Sequence, residues 1–414
     1  MKIITITKVK FDAFGLQHPY STFYQTSNYG EVMSHFGFVP NYLGFLDDNN
    51  NMIGASLILF KKVFFNFKYA YAPRGFLMDY KDPKQLAEFT KELKKILVKQ
   101  NFLFITIDPP IPCTKRNKKG EIIAVNNNIN EILNSLKLNN YTHYGFNNYF
   151  ETLKPRWNAF IEYKNDSSSL FNQINKKNRQ KIRKAARMGV EIFQDKENNI
   201  EKIYEYFKIK YHRRNLKYYN LMKNNFKDLL ETYYCFLNTN ESLKNAKIIY
   251  EQELLNNERL NENLIHKNNN KNINKKINSD KLLNKYKKEL ITATKLATEH
   301  PEGIIIGGGI FIKHANTINL LIEGHDAKFG RFNCNYLLKW HVIDKYIQTN
   351  YKYFNLNAIT GIFSHKNKLY GLNESKLDFN ASAFEYIGEF NLIINDFMYK
   401  VFKIIKNKNK ILKK

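Results

Sequence analysis

Cysteine is scarce in this sequence of 414 residues: Cys113, Cys235 and Cys334 are the only three. Their wide spacing excludes a disulfide framework and a cysteine-based zinc site, and it favours a reducing compartment. Long apolar runs are missing too, because none approaches the roughly 20 residues that a membrane-spanning helix needs. The first residues lack the apolar core of a signal peptide. We therefore expect a cytoplasmic protein that is neither exported nor integral to a membrane.

Common signatures of catalysis are also absent. The chain has no nucleophile elbow, no phosphate-binding P-loop and no glycine-rich dinucleotide fingerprint. The sequence marks no base for Cys113, so an inert thiol is favoured over a nucleophile. The run Gly307–Gly309 lies within a strand pattern and indicates either a bulge or a place where something approaches the backbone closely.

Acidic residues are few relative to basic ones. The chain has 65 Lys and Arg against 38 Asp and Glu, a formal net charge of +27. Part of this excess goes with a composition rich in Asn, Lys and Ile. The resulting field still favours polyanions such as RNA, nucleotide diphosphates or an anionic membrane face. The stretch Phe397–Lys414 mixes apolar side chains with lysine, so this final helix either lies on an anionic membrane surface or has a solvated basic end.

The pattern of apolar residues predicts a mixed α/β protein of two domains. One helix is clear at Pro83–Gln100, since Asp82 is a good N-cap and proline suits the first helical position. A second unit begins near Trp157. Strand-like runs cover residues 42–46, 53–60, 68–72, 102–107 and 158–162, with 303–312 and 316–322 further along.

A helical arm is predicted within the second unit. Residues from about 237 to 300 contain no proline, and two runs of apolar residues at helical spacing flank the polar stretch His266–Lys271. We expect an inserted antiparallel hairpin at about 238–300 with a basic tip. Each of its helices would be about 35 Å long at 1.5 Å per residue.

The most basic feature is a predicted helix from Phe171 to Arg187 that has no acidic residue. Its cations on consecutive turns repel each other unless they neutralise phosphates. A phosphate-bearing ligand and a solvated face both remain open. The basic residues are Lys176, Lys177, Arg179, Lys181, Arg183, Lys184 and Arg187.

Arg214 and Tyr218 lie four residues apart at the end of a third predicted helix, about Ile200–Lys217. If the helix continues, they share a face and present a cation beside a phenol. This pair suits a sugar or phosphate contact, and simple packing is the alternative.

Two aspartates are further candidates. Asp108 follows the apolar run 102–107, at the kind of strand end where α/β sheets place ligands. Asp79, in the loop after Pro73, has similar claims. For either residue, an Asx-type turn is the competing interpretation.

Four segments of the sequence together carry a family resemblance. They are Tyr71–Gly75 with Met78–Tyr80; Phe171–Arg179 through Ile182–Ala185 to Gly189–Glu191; Asn357–Gly361 with Phe363; and Tyr370–Gly371, Lys376 and Glu385–Phe390. In this order and spacing the chain resembles the FemABX-type aminoacyltransferases over almost its full length. The inserted hairpin resembles the coiled-coil arm of many members.

This resemblance implies two acetyltransferase-like (GNAT-type) domains, residues 1–156 with about 385–414 and residues 157–384. It implies that an amino acid leaves its tRNA ester and joins the side-chain amine of the third stem-peptide residue in a UDP-linked or lipid-linked muropeptide. Because an ester becomes an amide, no ATP, metal or other cofactor is required. The protein has to hold two anionic substrates together, deprotonate the amine and stabilise an oxyanion.

The resemblance also implies roles for single residues. Lys376, in a Lys-x-x-Phe element with Phe379, resembles the cation that stabilises the charge developing on the ester, and Asp108 resembles the carboxylate near the amine. Arg214 and Tyr218 resemble the pair that binds the precursor's phosphates and sugar. The other expected substrate-binding residues are His35, Arg74, Asp79, Lys177, Arg179 and Arg183.

The sequence departs from the family pattern in two places. The family often has a phosphate-binding lysine near Ser34, where this chain has His35, so either His35 substitutes or the phosphate grip is weaker. Near Lys376, Ser375 and Asp378 replace a commoner aromatic residue and glycine.

Two other functions compete with the transferase. In one, the basic helix and arm belong to a tRNA- or membrane-associated binding protein without activity. In the other, fold kinship suggests an acyl-CoA-dependent acetyltransferase, but neither domain shows the Gln/Arg-x-x-Gly-x-Gly/Ala loop that would hold a pyrophosphate at a helix start.

Overall fold

The computed structural model describes residues 1–164, 166–208 and 214–411. Among these residues, seven strands form a first sheet, in which β4 and β5 are parallel and the other neighbours antiparallel. Numbered along the chain, their spatial order is β1 (Lys2–Thr5), β2 (Val39–Leu46), β3 (Met52–Lys62), β4 (Lys68–Ala72), β5 (Phe102–Ile107), β16 (Phe390–Ile393) and β8 (Tyr141–His143).

Nine strands of the described residues form a second sheet, which also contains one parallel pair, β13 with β14. Their spatial order is β10 (Val190–Asp195), β11 (Leu230–Leu237), β12 (Ile304–His314), β13 (Thr317–His325), β14 (Tyr353–Ala358), β9 (Trp157–Glu162), β15 (Ser382–Tyr386), β6 (Pro112–Arg116) and β7 (Ile122–Val125). The predicted mixed α/β class with two sheet-based units is confirmed. The predicted strands 68–72 and 102–107 have the observed bounds.

Helices cover the sheets, and none of the described ones is both long and apolar enough to cross a bilayer. The predicted helix after Asp82 is confirmed: the Asp82 side chain accepts a hydrogen bond from the Gln85 backbone N–H. The helices are α1 (Lys8–Gln17), α2 (Ser27–Ser34), α3 (Pro83–Lys99), α4 (Ile129–Leu138), α5 (Ser167–Gln173), α6 (Lys176–Arg187), α7 (Glu201–Lys208), α8 (Leu216–Phe226), α9 (Thr239–His266), α10 (Asn270–Glu299), α11 (Cys334–Ile347), α12 (Tyr370–Leu377) and α13 (Asp396–Ile411).

The inserted arm is an antiparallel pair of helices, α9 and α10, as predicted. With 28 and 30 residues they are about 42–45 Å long at 1.5 Å per residue. The expected length of about 35 Å was therefore too short. Between them, the buried Asn257 amide donates to Ser279 Oγ (3.0 Å) and to Asp280 Oδ1 (2.8 Å).

The two sheets are not consecutive segments of the chain. β6 and β7 fall within the predicted first domain, 1–156, but β6 pairs with β15 in the second sheet. Near the other predicted boundary, residues 385 and 386 still belong to β15, and the chain returns to the first sheet only at β16. Sheet membership therefore differs from the predicted bounds at both places.

Two predicted helices are each interrupted by a new helix start. The predicted helix Phe171–Arg187 is divided into α5 and α6, because the Asn175 side chain caps a new helix at the Lys177 backbone N–H. The predicted helix Ile200–Lys217 is also interrupted. α7 is described over Glu201–Lys208, and α8 begins after its cap, Asn215, so that Arg214 and Asn215 lie outside a helix. Part of that prediction, residues 209–213, lies outside the described residues.

Close approach explains the glycine run in β12. A Cβ on Gly308 would lie 2.5 Å from the Tyr233 carbonyl oxygen, and one on Gly307 would lie 2.7 Å from the Gly324 carbonyl oxygen. The register against β11 also shifts between Cys235 and Phe236. The close approach to the backbone and the bulge, which the sequence offered as alternatives, are therefore both present.

Candidate functional site

Asp108 is buried at the end of β5, where the two sheets meet. Its Oδ1 accepts hydrogen bonds from the Arg74 backbone N–H (2.7 Å) and from the Tyr71 hydroxyl (3.1 Å). Its Oδ2 lies 3.5 Å from Arg74 Nη1 and has no hydrogen-bond partner among the described residues. Burial raises the pKa of the Asp108 carboxyl, and the Arg74 charge opposes this effect. The result is a buried carboxylate of raised basicity with one oxygen that lacks a hydrogen-bond partner among the described residues.

Arg74 is fixed by the loop that follows β4. Its backbone has a φ of +54°, a conformation that residues other than glycine adopt infrequently. Its guanidinium donates to the Pro155 carbonyl oxygen (2.6 Å) and lies 5.0 Å from the Tyr386 ring centroid. Arg74 thus connects the Asp108 strand end to the linker between the two units.

Lys154, in that linker, lies among aromatic side chains. Its Nζ is 3.2 Å from the Tyr29 hydroxyl and 3.6 Å from the Tyr24 ring centroid. Burial lowers the pKa of the Lys154 amine well below its usual range. The Arg214 charge lowers it further, and Asp108 acts in the opposite direction.

Arg214 and Tyr218 approach from the second unit. The Arg214 guanidinium lies 4.6 Å from the Tyr218 ring centroid, although Arg214 precedes α8 and does not share a helical face with it. Burial raises the pKa of Tyr218 to about 12, with Arg214 opposing. We define the interdomain cluster as Tyr24, Tyr29, Tyr71, Arg74, Asp108, Lys154, Arg214 and Tyr218.

A cavity of about 290 Å³ opens beside the interdomain cluster. Tyr24 and Arg74 line it, together with Asn355 and Asn357 from β14. The next residue, Ala358, accepts a hydrogen bond from Lys376 through its carbonyl oxygen (2.8 Å). The end of β14 therefore connects this cavity to a second group of polar residues.

Lys376 belongs to this second group, the Lys376 cluster, which also contains Glu323, Tyr336, Lys339 and Phe379. Lys339 Nζ donates to both Glu323 carboxylate oxygens at 2.7 Å. Its charge also lies 5.7 Å from the Phe379 ring centroid. Burial lowers the pKa of Lys376 to about 8, with Glu323 raising it and Lys339 lowering it. The amine can therefore change protonation state near neutral pH.

The structure brings some predicted residues together and leaves others apart. Asp108, Arg74, Arg214 and Tyr218 meet in the interdomain cluster, and Lys376 lies in its own cluster. His35 is exposed at the end of α2, beside Phe36, whose ring centroid is 6.0 Å from that of Tyr218.

Asp79 is not brought to the interdomain cluster. It is exposed, and its Oδ1 accepts a hydrogen bond from the Lys81 backbone N–H (2.9 Å). This is the Asx-type turn that the sequence offered as the alternative.

The predicted phosphate-binding residues of α6 lie on its outer surface. Lys177 and Arg183 are exposed, and Arg179 is half-buried. The Arg179 guanidinium donates to Asn172 Oδ1 (3.3 Å), while that of Arg183 lies 5.3 Å from the Phe171 ring centroid. No acidic side chain of the described residues forms an ion pair with these three cations.

Sequence reasoning missed Lys154 and Lys339. Lys154 stands in an irregular linker, where no periodic pattern marks a buried lysine. Lys339 did leave a signal, because it shares a helical face with the apolar residues Val342, Ile343 and Tyr346. A lysine on such a face needs a buried partner, and Glu323 supplies it.

Comparison with known proteins gives consistent results. The profile of the FemAB family matches residues 6–407. The chain is 27% identical to the aminoacyltransferase FemA of Staphylococcus epidermidis over 432 aligned residues, 99% of this chain and 100% of that protein. It is 26% identical to FemA of Staphylococcus aureus over 421 residues, 98% of each. The crystal structure of FemX superposes with a TM-score of 0.74 at 21% identity, covering 97% of this chain and 99% of FemX.

Proposed function

This chain belongs to the FemAB family, and we propose that it transfers an aminoacyl group from aminoacyl-tRNA to the stem-peptide side-chain amine of a peptidoglycan precursor. The aminoacyltransferase class predicted from the sequence is confirmed by the FemA relatives. The finer parts of the proposal are the tRNA donor, the muropeptide acceptor, either UDP-linked or lipid-linked, and the roles of single residues.

Asp108 is assigned to the acceptor amine. In the proposed reaction the amine nitrogen attacks the ester carbonyl carbon, a C–N bond forms, and the ester oxygen leaves with the tRNA ribose and takes up a proton. The amine must lose a proton for this to proceed. Asp108 Oδ2 has no hydrogen-bond partner among the described residues, and burial raises the carboxyl pKa. Both features suit a general base.

Lys376 is assigned to the ester. Its Nζ is held by the Ala358 carbonyl oxygen, and with a pKa of about 8 it is mostly protonated at neutral pH. A buried, positioned ammonium group stabilises the oxyanion that develops during attack on an ester, and such stabilisation is strong because water is excluded.

Binding of the acceptor is assigned to the cations of the interdomain cluster. Arg74 and Arg214 accompany a single carboxylate, Asp108, which leaves an excess of positive charge. That excess suits the phosphates of a UDP- or lipid-linked precursor, and the Tyr218 ring suits its sugar. His35, which is exposed beside Phe36 at the end of α2, is a further contact in this assignment.

The observation that carries the proposal is that Arg74, Asp108, Arg214 and Tyr218 come from distant segments into one interdomain cluster, and that Arg74 also lines the adjacent cavity. The test incubates the protein with labelled aminoacyl-tRNAs and either UDP-linked or lipid-linked muropeptide, and identifies products by mass. We expect a stem peptide heavier by an aminoacyl residue, and no product after ribonuclease treatment of the donor. Acetylation from acetyl-CoA with no transfer from any aminoacyl-tRNA would contradict the proposal.

A peripheral contact with the cytoplasmic face of the membrane is also part of the proposal. α13 packs on the first sheet through Met398, Tyr399 and Phe402. On its opposite side Phe397 is 73% and Ile404 58% exposed. A helix with apolar residues on two faces indicates a covered position. Cosedimentation should therefore be stronger with vesicles containing phosphatidylglycerol than with phosphatidylcholine alone, and Phe397→Ser with Ile404→Ser should abolish the difference.

A further inference from the structure

A second, strongly basic groove lies at the base of the arm, with a volume of about 520 Å³. Its walls come from the last turn of α6, from both helices of the arm and from the segment that precedes α11. Among the described residues that line it, Glu289 is the single acidic one. The lining cations are Lys184, Arg187, Lys281, Lys285, Lys288 and Arg331.

The groove lysines of α10 differ in their ion pairing from four other lysines of the arm. Outside the groove, Lys244, Lys247, Lys276 and Lys295 each lie within 4.0 Å of an acidic side chain three or four residues away. Within the part of the chain that the structure describes, the groove lysines of α10 have no such ion pair. Their charges are therefore available to a ligand.

The α10 lysines of the groove form one stripe. Lys281, Lys285 and Lys288 are spaced by four and three residues, so they project from the same face of the helix. Like charges at this spacing destabilise a helix. A ligand with regularly spaced negative charges would remove that repulsion, and the phosphates of a nucleic acid have this character.

Helix α6 extends from this groove to the Lys376 cluster. Its last turns supply Lys184 and Arg187 to the groove. At its other end, the backbone N–H of its cap, Asn175, donates to the carbonyl oxygen of Asp378 (2.9 Å), two residues after Lys376. Twelve residues give the helix a length of about 18 Å.

A side chain on the flank of α6 also contacts the Lys376 cluster. Lys181 Nζ donates to the Tyr336 hydroxyl (2.8 Å), and the Tyr336 ring is stacked on Phe379. On the exposed side, Lys176, Arg183 and Arg187 are spaced by seven and four residues and so form a stripe along the helix. Positive charge therefore continues from the groove toward Lys376.

We propose that the groove at the base of the arm binds the phosphate backbone of the donor's RNA stem, and that α6 leads the aminoacylated end to Lys376. This inference rests on the proposed function, since it requires an RNA donor. It assigns RNA binding to the base of the arm and not to its tip, where Lys267 and Lys271 lie.

The test compares two double variants of the same helix. Lys285→Gln with Lys288→Gln removes two groove cations. Lys275→Gln with Lys287→Gln is the matched control, because these lysines are exposed on α10 but do not line the groove. Binding of uncharged tRNA is measured as a function of salt, and transfer kinetics are measured with aminoacyl-tRNA and with an aminoacylated cytidylyl-adenosine, which has the ester but no stem.

Each phosphate contact changes the slope of log K against log salt by about 0.7–0.9 and is worth about four- to sixfold in affinity at 0.15 M salt. We therefore expect the groove variant to bind tRNA about 15- to 35-fold more weakly, with a slope reduced by about 1.4–1.8. Its KM should rise for aminoacyl-tRNA and stay unchanged for the short donor. Lys184→Gln with Lys281→Gln should repeat this result, and thermal unfolding checks that each variant is folded.

The outcomes separate this inference from the proposed function. If the wild type transfers from both donors while the groove variants behave like the control, the groove inference alone is wrong. A groove variant impaired equally with both donors also overturns it, because the defect would then not involve the stem. If the wild type transfers from neither donor, the proposed function fails, and tRNA binding, which requires no chemistry, still decides whether the groove holds RNA.

Discussion

The interdomain cluster and the Lys376 cluster both bury cations beside a carboxylate, but they are assembled differently. The interdomain cluster combines residues of the first unit, the linker and α8, and one oxygen of Asp108 has no hydrogen-bond partner among the described residues. In the Lys376 cluster, both oxygens of Glu323 accept from Lys339, and all members come from the second unit. The first arrangement leaves one buried carboxylate oxygen without a hydrogen bond from the described residues, whereas the second holds a lysine at a lowered pKa.

This contrast predicts different kinetic defects for the two clusters. Asp108→Asn should cause the largest, a loss of about 10²–10⁴ in turnover, because it removes a general base. The asparagine oxygen can still accept the hydrogen bonds from Arg74 and Tyr71. Turnover should recover partly between pH 6.5 and 8, as more of the acceptor amine becomes neutral. Full turnover of this variant at pH 7 would remove Asp108 from the mechanism.

Lys376→Met should lower turnover by about 10²–10³, the effect expected for losing one oxyanion-stabilising contact. The change removes the charge at nearly constant length. The KM for the muropeptide should stay within twofold of the wild type, because the acceptor is assigned to the other cluster. Lys366→Met, at an exposed position on the same segment, is the control. A large rise in muropeptide KM would show that the two clusters do not divide the substrates.

Arg214→Ala should act mainly on acceptor binding. Hydrogen bonds to charged groups contribute about 1.5–3 kcal/mol, so the muropeptide KM should rise by roughly ten- to a hundredfold. Turnover at saturating muropeptide should change little, which initial rates over a wide range of acceptor concentration will measure. Crippled turnover at saturation would place Arg214 in the chemistry and contradict the assignment.

The smallest effect concerns pH. If protonated Lys376 is the active form, turnover should fall as pH rises through about 8, the pKa of its buried amine. The Lys339 charge lowers that pKa and Glu323 raises it. Lys339→Met should therefore move the alkaline limb of the turnover profile to higher pH, whereas Lys366→Met should leave it in place. An unchanged limb in the Lys339 variant would mean that Lys376 does not cause it.

Local patterns predicted the regular elements well. β4, β5 and α3 were found because apolar periodicity and the Asp82 cap act over a few residues. The break between α5 and α6 was missed, since Asn175 also suits a helix surface, and its role depends partly on Asp378 more than 200 residues away.

The candidate site was predicted in part. Asp108 was found because it follows an apolar strand, at the kind of strand end where α/β sheets place ligands. Arg214 and Tyr218 do lie together, but not on a shared helical face. Arg214 precedes α8, and its guanidinium contacts the ring of Tyr218 within that helix. Lys154 could not be found, because its burial results from Tyr24 and Tyr29, which only tertiary packing brings near.

The return of the chain to the first sheet has a consequence for synthesis on the ribosome. β8 pairs in that sheet with β16, whose residues emerge about 250 positions later. At about 5–20 residues per second, the nascent first unit waits about 12–50 s for its last internal strand. During that time the outer edge of β5 has no β16 to pair with. Chaperone contact with the nascent chain should therefore end only after residue 393 has left the exit tunnel.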